Sequence, residues 1–139
     1  MEKKFMMSFP DGMPKGTAQQ KRYDGRRGIY FKDKKLLNLE MAYAMALLPH
    51  KIREPITEPV KLTLWFGFDV KERSKWGTYK TSRPDLDNYS KALIDVMVKS
   101  GFFTDDSLIA DLHLIKTYAE TAFIWAEIET LEKKFGGIT

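Results

Sequence analysis

The chain contains no cysteine. Disulfide scaffolds, cysteine-ligated zinc or iron sites and thiol nucleophiles are thereby excluded, and a composition free of thiols suits a reducing cytoplasm. Histidine is scarce too: His50 and His113 stand alone, and neither is expected to act as a ligand or general base. The apolar run within Met1–Met7 is too short for a secretory signal, and no later stretch approaches the length of a membrane span. No internal repeat or compositional break divides the 139 residues, a length that suits one domain able to bury roughly two-thirds of the surface its unfolded chain exposes. The expectation is a single-domain cytoplasmic protein with no membrane partner.

What is present is enough to fill a core: 43% of residues are hydrophobic and 13% aromatic, which argues against wholesale disorder. Lysine and arginine number 23 against 19 acidic residues, a formal net charge of +4. That small value conceals an asymmetry. Residues 1–83 carry 18 basic and 9 acidic side chains, giving +9, and residues 84–139 carry 5 and 10, giving −5. Polyanion binding and cation binding are thus expected in different parts of the chain.

Lys3–Phe9 reads as a strand ended by the turn signal Pro10-Asp11-Gly12. Residues 14–32 are rich in glycine, lysine and arginine with little periodicity, and read as a long basic loop. Leu36, Leu37, Leu39, Glu40, Tyr43, Ala44 and Leu47 recur at helical spacing, so a helix is expected over residues 34–48, with Asp33 as N-cap and Pro49 as its stop. Val60–Phe68 alternates and then turns wholly apolar, as a strand within a sheet does. A second basic loop, residues 71–83, sets Trp76 and Tyr79 among lysines and arginines. A second helix is expected from about Asp85–Asp87 to Gly101, burying Leu86, Tyr89, Leu93, Val96, Met97 and Ser100. Two strands near Leu108–Thr117 and Phe123–Thr130 complete an α/β domain of α+β type, a mixed sheet packed by two main helices. Met6, Met7, Met41, Met45 and Met97 are expected as core filler.

The segment that points to chemistry is Arg83-Pro84-Asp85-Leu86-Asp87-Asn88-Tyr89-Ser90-Lys91, with Asp95, followed by Gly101-Phe102-Phe103-Thr104-Asp105-Asp106. Asp85 and Asp87 converge if the backbone there is extended, and Asp87, Lys91 and Asp95 share a helix face at four-residue spacing. Hard cations such as magnesium take oxygen ligands and keep several waters, so carboxylates around an open site suit phosphodiester hydrolysis. A neighbouring lysine can stabilise the charge that develops on phosphate. Each part also has a plainer reading: Asp85 or Asp87 as an N-cap, Asp87-Lys91-Asp95 as helix ion pairs of about 0.3–0.5 kcal/mol each, and Asp105-Asp106 as a turn. One cap and one turn do not require four carboxylates.

Pro84-Asp85-Leu86-Asp87-Asn88, Lys91-Ala92, Asp95, Gly101-Phe102 and Asp105-Asp106 together resemble the signature of the RusA family of Holliday junction resolvases, which occurs in bacteria and their phages or prophages. The motif covers residues 83–106, and the order of elements around it agrees. The resemblance implies a homodimeric endonuclease that depends on magnesium, with manganese as a possible substitute, and makes paired nicks in four-way DNA junctions. Carried over by position, Asp85, Asp87 and Asp106 are the essential carboxylates and metal ligands, Asp105 assists, and Lys91 is the catalytic lysine. Asn88 and Asp95 also match, and are assigned to structure.

Geometry complicates that site. From Asp87 to Lys99 a helix rises about 18 Å, so Asp106 reaches Asp87 of its own chain only by a nearly straight return. A two-fold pair of antiparallel motif helices would instead bring the partner copy's Asp106 alongside, leaving open a site shared between subunits. Phosphate contacts are expected from Lys15, Lys21, Arg22, Arg26, Arg27, Lys71, Arg73, Lys75, Lys80 and Arg83, and base stacking from Trp76 and Tyr79, unless these rings pack over the core edge. Two rival functions remain at this point: a non-catalytic branched-DNA-binding module, and another metal-dependent phosphohydrolase.

Overall fold

The computed structural model describes residues 1–16, 21–32 and 34–136, with residues 21–24 and 29–32 described by backbone pairing alone. Its strands are β1 (Glu2–Phe9), β2 (Lys21–Asp24), β3 (Ile29–Lys32), β4 (Val60–Asp69), β5 (Ile109–Ala119) and β6 (Ala122–Thr130); its helices are α1 (Lys34–Leu47) and α2 (Leu86–Lys99). Short 3₁₀ turns lie at Leu48–His50, Arg73–Lys75 and Asp106–Leu108. The α/β class, the mixed sheet and the two helices are those expected from sequence.

The main sheet has the order β1-β6-β4-β5. Apolar residues at every second position of β4 put Val60, Leu62, Leu64 and Phe66 on one face, all fully buried, opposite Ile124, Ala126 and Ile128 of β6. β6 runs antiparallel to both β1 and β4, whereas β5 runs parallel to β4. A parallel pair needs a crossover, and α2 with its flanking loops supplies it. Both helices cover the buried face: Leu36, Leu39, Tyr43 and Leu47 of α1 join Tyr89, Leu93, Val96 and Met97 of α2 in one core cluster. Tyr89 stands at its centre, edge-on to Phe66 at 5.3 Å and to Tyr43 at 6.3 Å.

Gly101 ends α2 as its sequence position suggests. With φ +83° it adopts the left-handed conformation that favours glycine. Its N–H donates to Val98 O, and that of Phe102 to Met97 O, the paired bonds of a Schellman cap. Phe102 and Phe103 then enter the core, and Ile56 and Phe103 form a bridge that fixes the chain before Asp106.

Two expectations need correction, and a third falls on a residue outside those described. The first basic segment is not wholly loop, because Lys21–Asp24 and Ile29–Lys32 pair as an antiparallel hairpin around Gly25–Gly28. Asp33, read as an N-cap, lies outside the described residues. Of the methionines, Met7 and Met97 are buried, but Met6, Met41 and Met45 are exposed, as are Leu37 and Leu48. The apolar residues of α1 lie on two faces, and packing uses only the one that carries Tyr43.

Candidate active site

The chain enters α2 through a clamped segment. The Lys116 ammonium donates to the carbonyls of Ser82 and Pro84, both at 2.8 Å, and the Arg83–Pro84 peptide between them is cis. Lys116 occupies a core-facing position near the end of edge strand β5, in alternation with Leu112 and Leu114. A lysine at an apolar position of a strand was the available sequence signal, and it was missed. Asp85 follows with extended backbone, and its carbonyl accepts from Tyr89 N–H as the first helical bond. Its carboxylate makes no capping bond to the helix. The plain N-cap reading of Asp85 therefore does not describe this helix.

Once the helix begins, successive side chains rotate by about 100°, and this separates the motif residues. Asp85, Asn88 and Tyr89 face a cavity of about 660 Å³ against the loop after β1. Asp87, Lys91, Asp95 and Asp106 line a second hollow of about 330 Å³, floored by Ile94, Ile109, Leu112 and Leu114. None of the side chains of Asp85, Asp87, Lys91, Asp95 or Asp106 has an ion pair among the described residues. The expected helix pairs Asp87-Lys91-Asp95 are thus not formed, and Asp95 has no structural partner of the kind foreseen for it.

The second hollow is elongated. Asp87 lies in the first turn of α2 and Asp95 about 12 Å further along the axis. Asp106 enters where β5 begins, at the end opposite Asp87, since Lys116 near the far end of β5 donates to Pro84 O just before α2 starts. No group of three histidine, cysteine, aspartate or glutamate side chains is poised around a single point among the described residues. Asp85 and Asp87 line different hollows, and only Asp85 precedes the helix. The donors still suit a hard cation: all are carboxylate oxygens without competing partners, and magnesium is usually held by one or two carboxylates completed by water and substrate phosphate. Asp105 is engaged otherwise. Its carboxylate accepts from the Ser107 hydroxyl and, at 3.1 Å, from Ser107 N–H, capping the 3₁₀ turn that carries Asp106. Those bonds, the hydroxyl first, hold the Asp105 carboxyl below its ordinary range.

The basic loops are partly occupied by internal contacts. The Lys75 ammonium lies 3.2 Å from Glu72, and that of Lys80 donates to Ser82 Oγ at 2.6 Å between the rings of Phe68 and Tyr118. The Ser82 hydroxyl, with Lys80 and Lys75 nearby, lowers the Tyr118 phenol from its ordinary pKa. Trp76 is half-buried, with its indole N–H donated to Val70 O at 2.8 Å and Arg73 over its ring. It packs on the core edge. Tyr79 is 77% exposed and bridges its backbone to Thr117, so it is the better presented ring. Lys15 and Arg83 line the larger cavity; Arg26 and Arg27 are exposed at the tip of the hairpin, and Lys71 is exposed after β4. The side chains of Lys21 and Arg22 lie outside the described residues. Among the described residues no helix is long and apolar enough to cross a membrane.

Comparison with known proteins gives a consistent result. The family model of endodeoxyribonuclease RusA matches residues 11–129. A crossover junction endodeoxyribonuclease of Lactococcus phage r1t is 36% identical over 129 residues, which covers 90% of this chain and 97% of the phage protein. Crossover junction endodeoxyribonucleases of Escherichia coli and Shigella sonnei are 34% identical over 61 residues and 33% identical over 67, or 51% and 56% of their lengths.

Proposed function

The chain belongs to the RusA family of endodeoxyribonucleases, and from that premise we propose that it resolves four-way DNA junctions by paired, magnesium-dependent nicks. One observation supports the chemistry above the rest: Asp87, Lys91, Asp95 and Asp106 share a hollow without pairing with one another. Opposite charges on neighbouring helical turns gain by pairing, if only modestly. Carboxylates and an ammonium left apart beside an open hollow are available to a ligand that carries both cation and phosphate.

In this reading Asp87 and Asp106 hold the metal, with Asp85 turned toward the strand entering across the first turn of α2. Bound magnesium would supply Lewis-acid polarisation of the phosphate and a water of lowered pKa. Lys91, one turn beyond Asp87, presents its ammonium to the phosphate oxygens and the leaving oxygen, where negative charge grows. Asp105 acts at one remove, by fixing the turn that aims Asp106. Manganese, which also accepts oxygen ligands, would substitute.

Asp87 and Asp106 stand at opposite ends of one chain's hollow, so we assign the working enzyme to a homodimer. A second copy with its α2 antiparallel sets the partner's acidic turn against the first turn of this helix, and the exposed Leu112 and half-buried Leu114 give the copies an apolar surface to bury. A two-fold protein also offers two equivalent sites to the two symmetry-related strands of a junction. The basic side chains before Pro84 hold the DNA, and the cytoplasm is the compartment where it would be met.

Substrate competition tests the proposal. The chain is incubated with a four-way junction, duplex, single strand or nucleotide, in magnesium or EDTA. Selective paired nicking of the junction in magnesium is expected. Cleavage that persists in EDTA, or equal hydrolysis of nucleotides, would overturn it.

A further inference from the structure

The larger cavity carries Asp85 on its rim, and its walls beyond that residue specify a ligand of a different kind from a metal ion. Its floor is apolar and partly aromatic: Phe68 and Tyr89 lie 5.3 Å apart, with Met13 buried beside them. The Tyr89 hydroxyl is already committed to Pro14 O, and Met13 N–H donates to Asp69 Oδ1 at 3.3 Å, so the loop after β1 is fastened down as a wall. Burial drives the Tyr89 phenol far above its ordinary pKa, which keeps it neutral. The Asn88 amide and the Lys15 and Arg83 cations face the cavity with no partner among the described residues.

Charge decides the class of occupant. Lys15, Lys80 and Arg83 are balanced by Asp11, Asp69 and Asp85 around the same cavity. A polyphosphate binds where cations prevail, and here they do not. A neutral, planar heterocycle with donors and acceptors on its edge suits both the apolar floor and the free amide, and asparagine is a common partner of base edges. At about 660 Å³ the space is within the usual range for small-ligand pockets. Its rim includes Asp85, whose neighbour Asp87 faces the acidic hollow across one helical turn.

We propose that this cavity receives a base turned out of the DNA stack next to the phosphate that is cut, with Asn88 reading its edge. The inference rests on the junction-resolving function. Bases at a branch point are the least expensive to extrude, since extrusion costs a few kcal/mol in a duplex and least where pairing is already broken.

The test places 5-iodouracil at single positions around the branch point of a junction, irradiates the complex with the full-length protein in EDTA, and maps the crosslinked peptide. A crosslink to Tyr89, Phe68 or the residues 11–16 from one position only is expected. Asn88→Leu should lower its yield about tenfold, the worth of one lost hydrogen bond, while junction binding persists. Asn88→Ser, which shortens the side chain without adding an apolar group near the start of the helix, carries the same expectation should Asn88→Leu disturb it. Junction binding with crosslinks confined to residues 26–27 or 73–79 would overturn the pocket and leave the resolvase reading intact. Equal labelling by free 5-iodo-deoxyuridine triphosphate would overturn it in favour of a nucleotide site. Failure of the wild-type chain to bind junctions would remove both.

Discussion

Gly67 is the position at which a single added carbon has the most calculable consequence. It lies in β4 on the sheet face away from the helices, directly opposite Phe123 of β6. A Cβ there would sit 2.1 Å from Phe123 Cε1 and 2.5 Å from Cδ1, far inside contact distance. Phe123 must therefore move, and its ring packs edge-on against Trp65 at 5.0 Å, while the Trp65 indole donates to Thr117 Oγ1 at 2.7 Å. Overpacking costs about 1–3 kcal/mol and loss of an aromatic pair about 0.5–1.5. Alanine recovers about 0.5–1 kcal/mol through the entropy that glycine loses in a strand. Gly67→Ala should thus destabilise by about 2–3 kcal/mol, a fall in melting temperature of about 6–10 °C for a chain of this length. In a Phe123→Ala background the clash has no partner, and the same substitution should be neutral or mildly stabilising. A thermal-melt double-mutant cycle reads the difference as a coupling of about 2 kcal/mol or more. Equal cost in both backgrounds would refute the steric reasoning. Junction nicking at low temperature should be unaffected, because this face is remote from the acidic hollow.

Other expectations concern the site and its surroundings. Tyr79→Ala should weaken junction binding by about tenfold, within the range for one lost base stack, and duplex binding less, with no change in melting temperature; equal loss on both substrates would exclude stacking at the branch point. Trp76→Ala should instead lower the melting temperature, since its indole N–H and ring are used within the protein. Lys116→Met should speed amide exchange at Ser82, Arg83 and Asp85 and slow nicking more than it weakens junction binding; unchanged exchange would show that the clamp does not order the segment. Ser107→Ala should raise the Asp105 carboxyl toward its ordinary pKa, measured by carboxylate NMR. A depressed carboxyl stabilises the fold above its unfolded pKa and loses that contribution as pH falls through the folded value, so the variant, with less depression, should have less stability to lose and decline less steeply on acidification.

The motif helix was legible because its signals agree: apolar spacing, acidic residues at its start and Gly101 at its end all mark the same boundaries. Its chemistry was less legible. Two-residue spacing brings Asp85 and Asp87 together in an extended chain but apart once Leu86 begins the helix, and composition does not say at which residue the turn starts. The α1 helix shows another limit. Leu36, Leu39, Tyr43 and Leu47 form one apolar face, Leu37, Met41, Ala44 and Met45 form a second, and periodicity does not say which one meets the sheet. In the first basic segment, Gly25 and Gly28 around two arginines, with aromatics on both sides, marked a hairpin, but the density of charge obscured it. Lys116 is marked only by its place at an apolar position of a strand; its partners are backbone carbonyls, so the sequence does not say what it holds.

The central claim is that the acidic hollow of one chain is completed by Asp106 of a second. Mixing Asp87→Asn and Asp106→Asn chains, each inactive alone, tests it directly on a labelled four-way junction in magnesium. A shared site predicts that every mixed dimer has one intact centre, so nicking returns to roughly a quarter of the wild-type level, as single rather than paired cuts. A mixture that forms dimers and binds the junction yet stays inactive would contradict the claim.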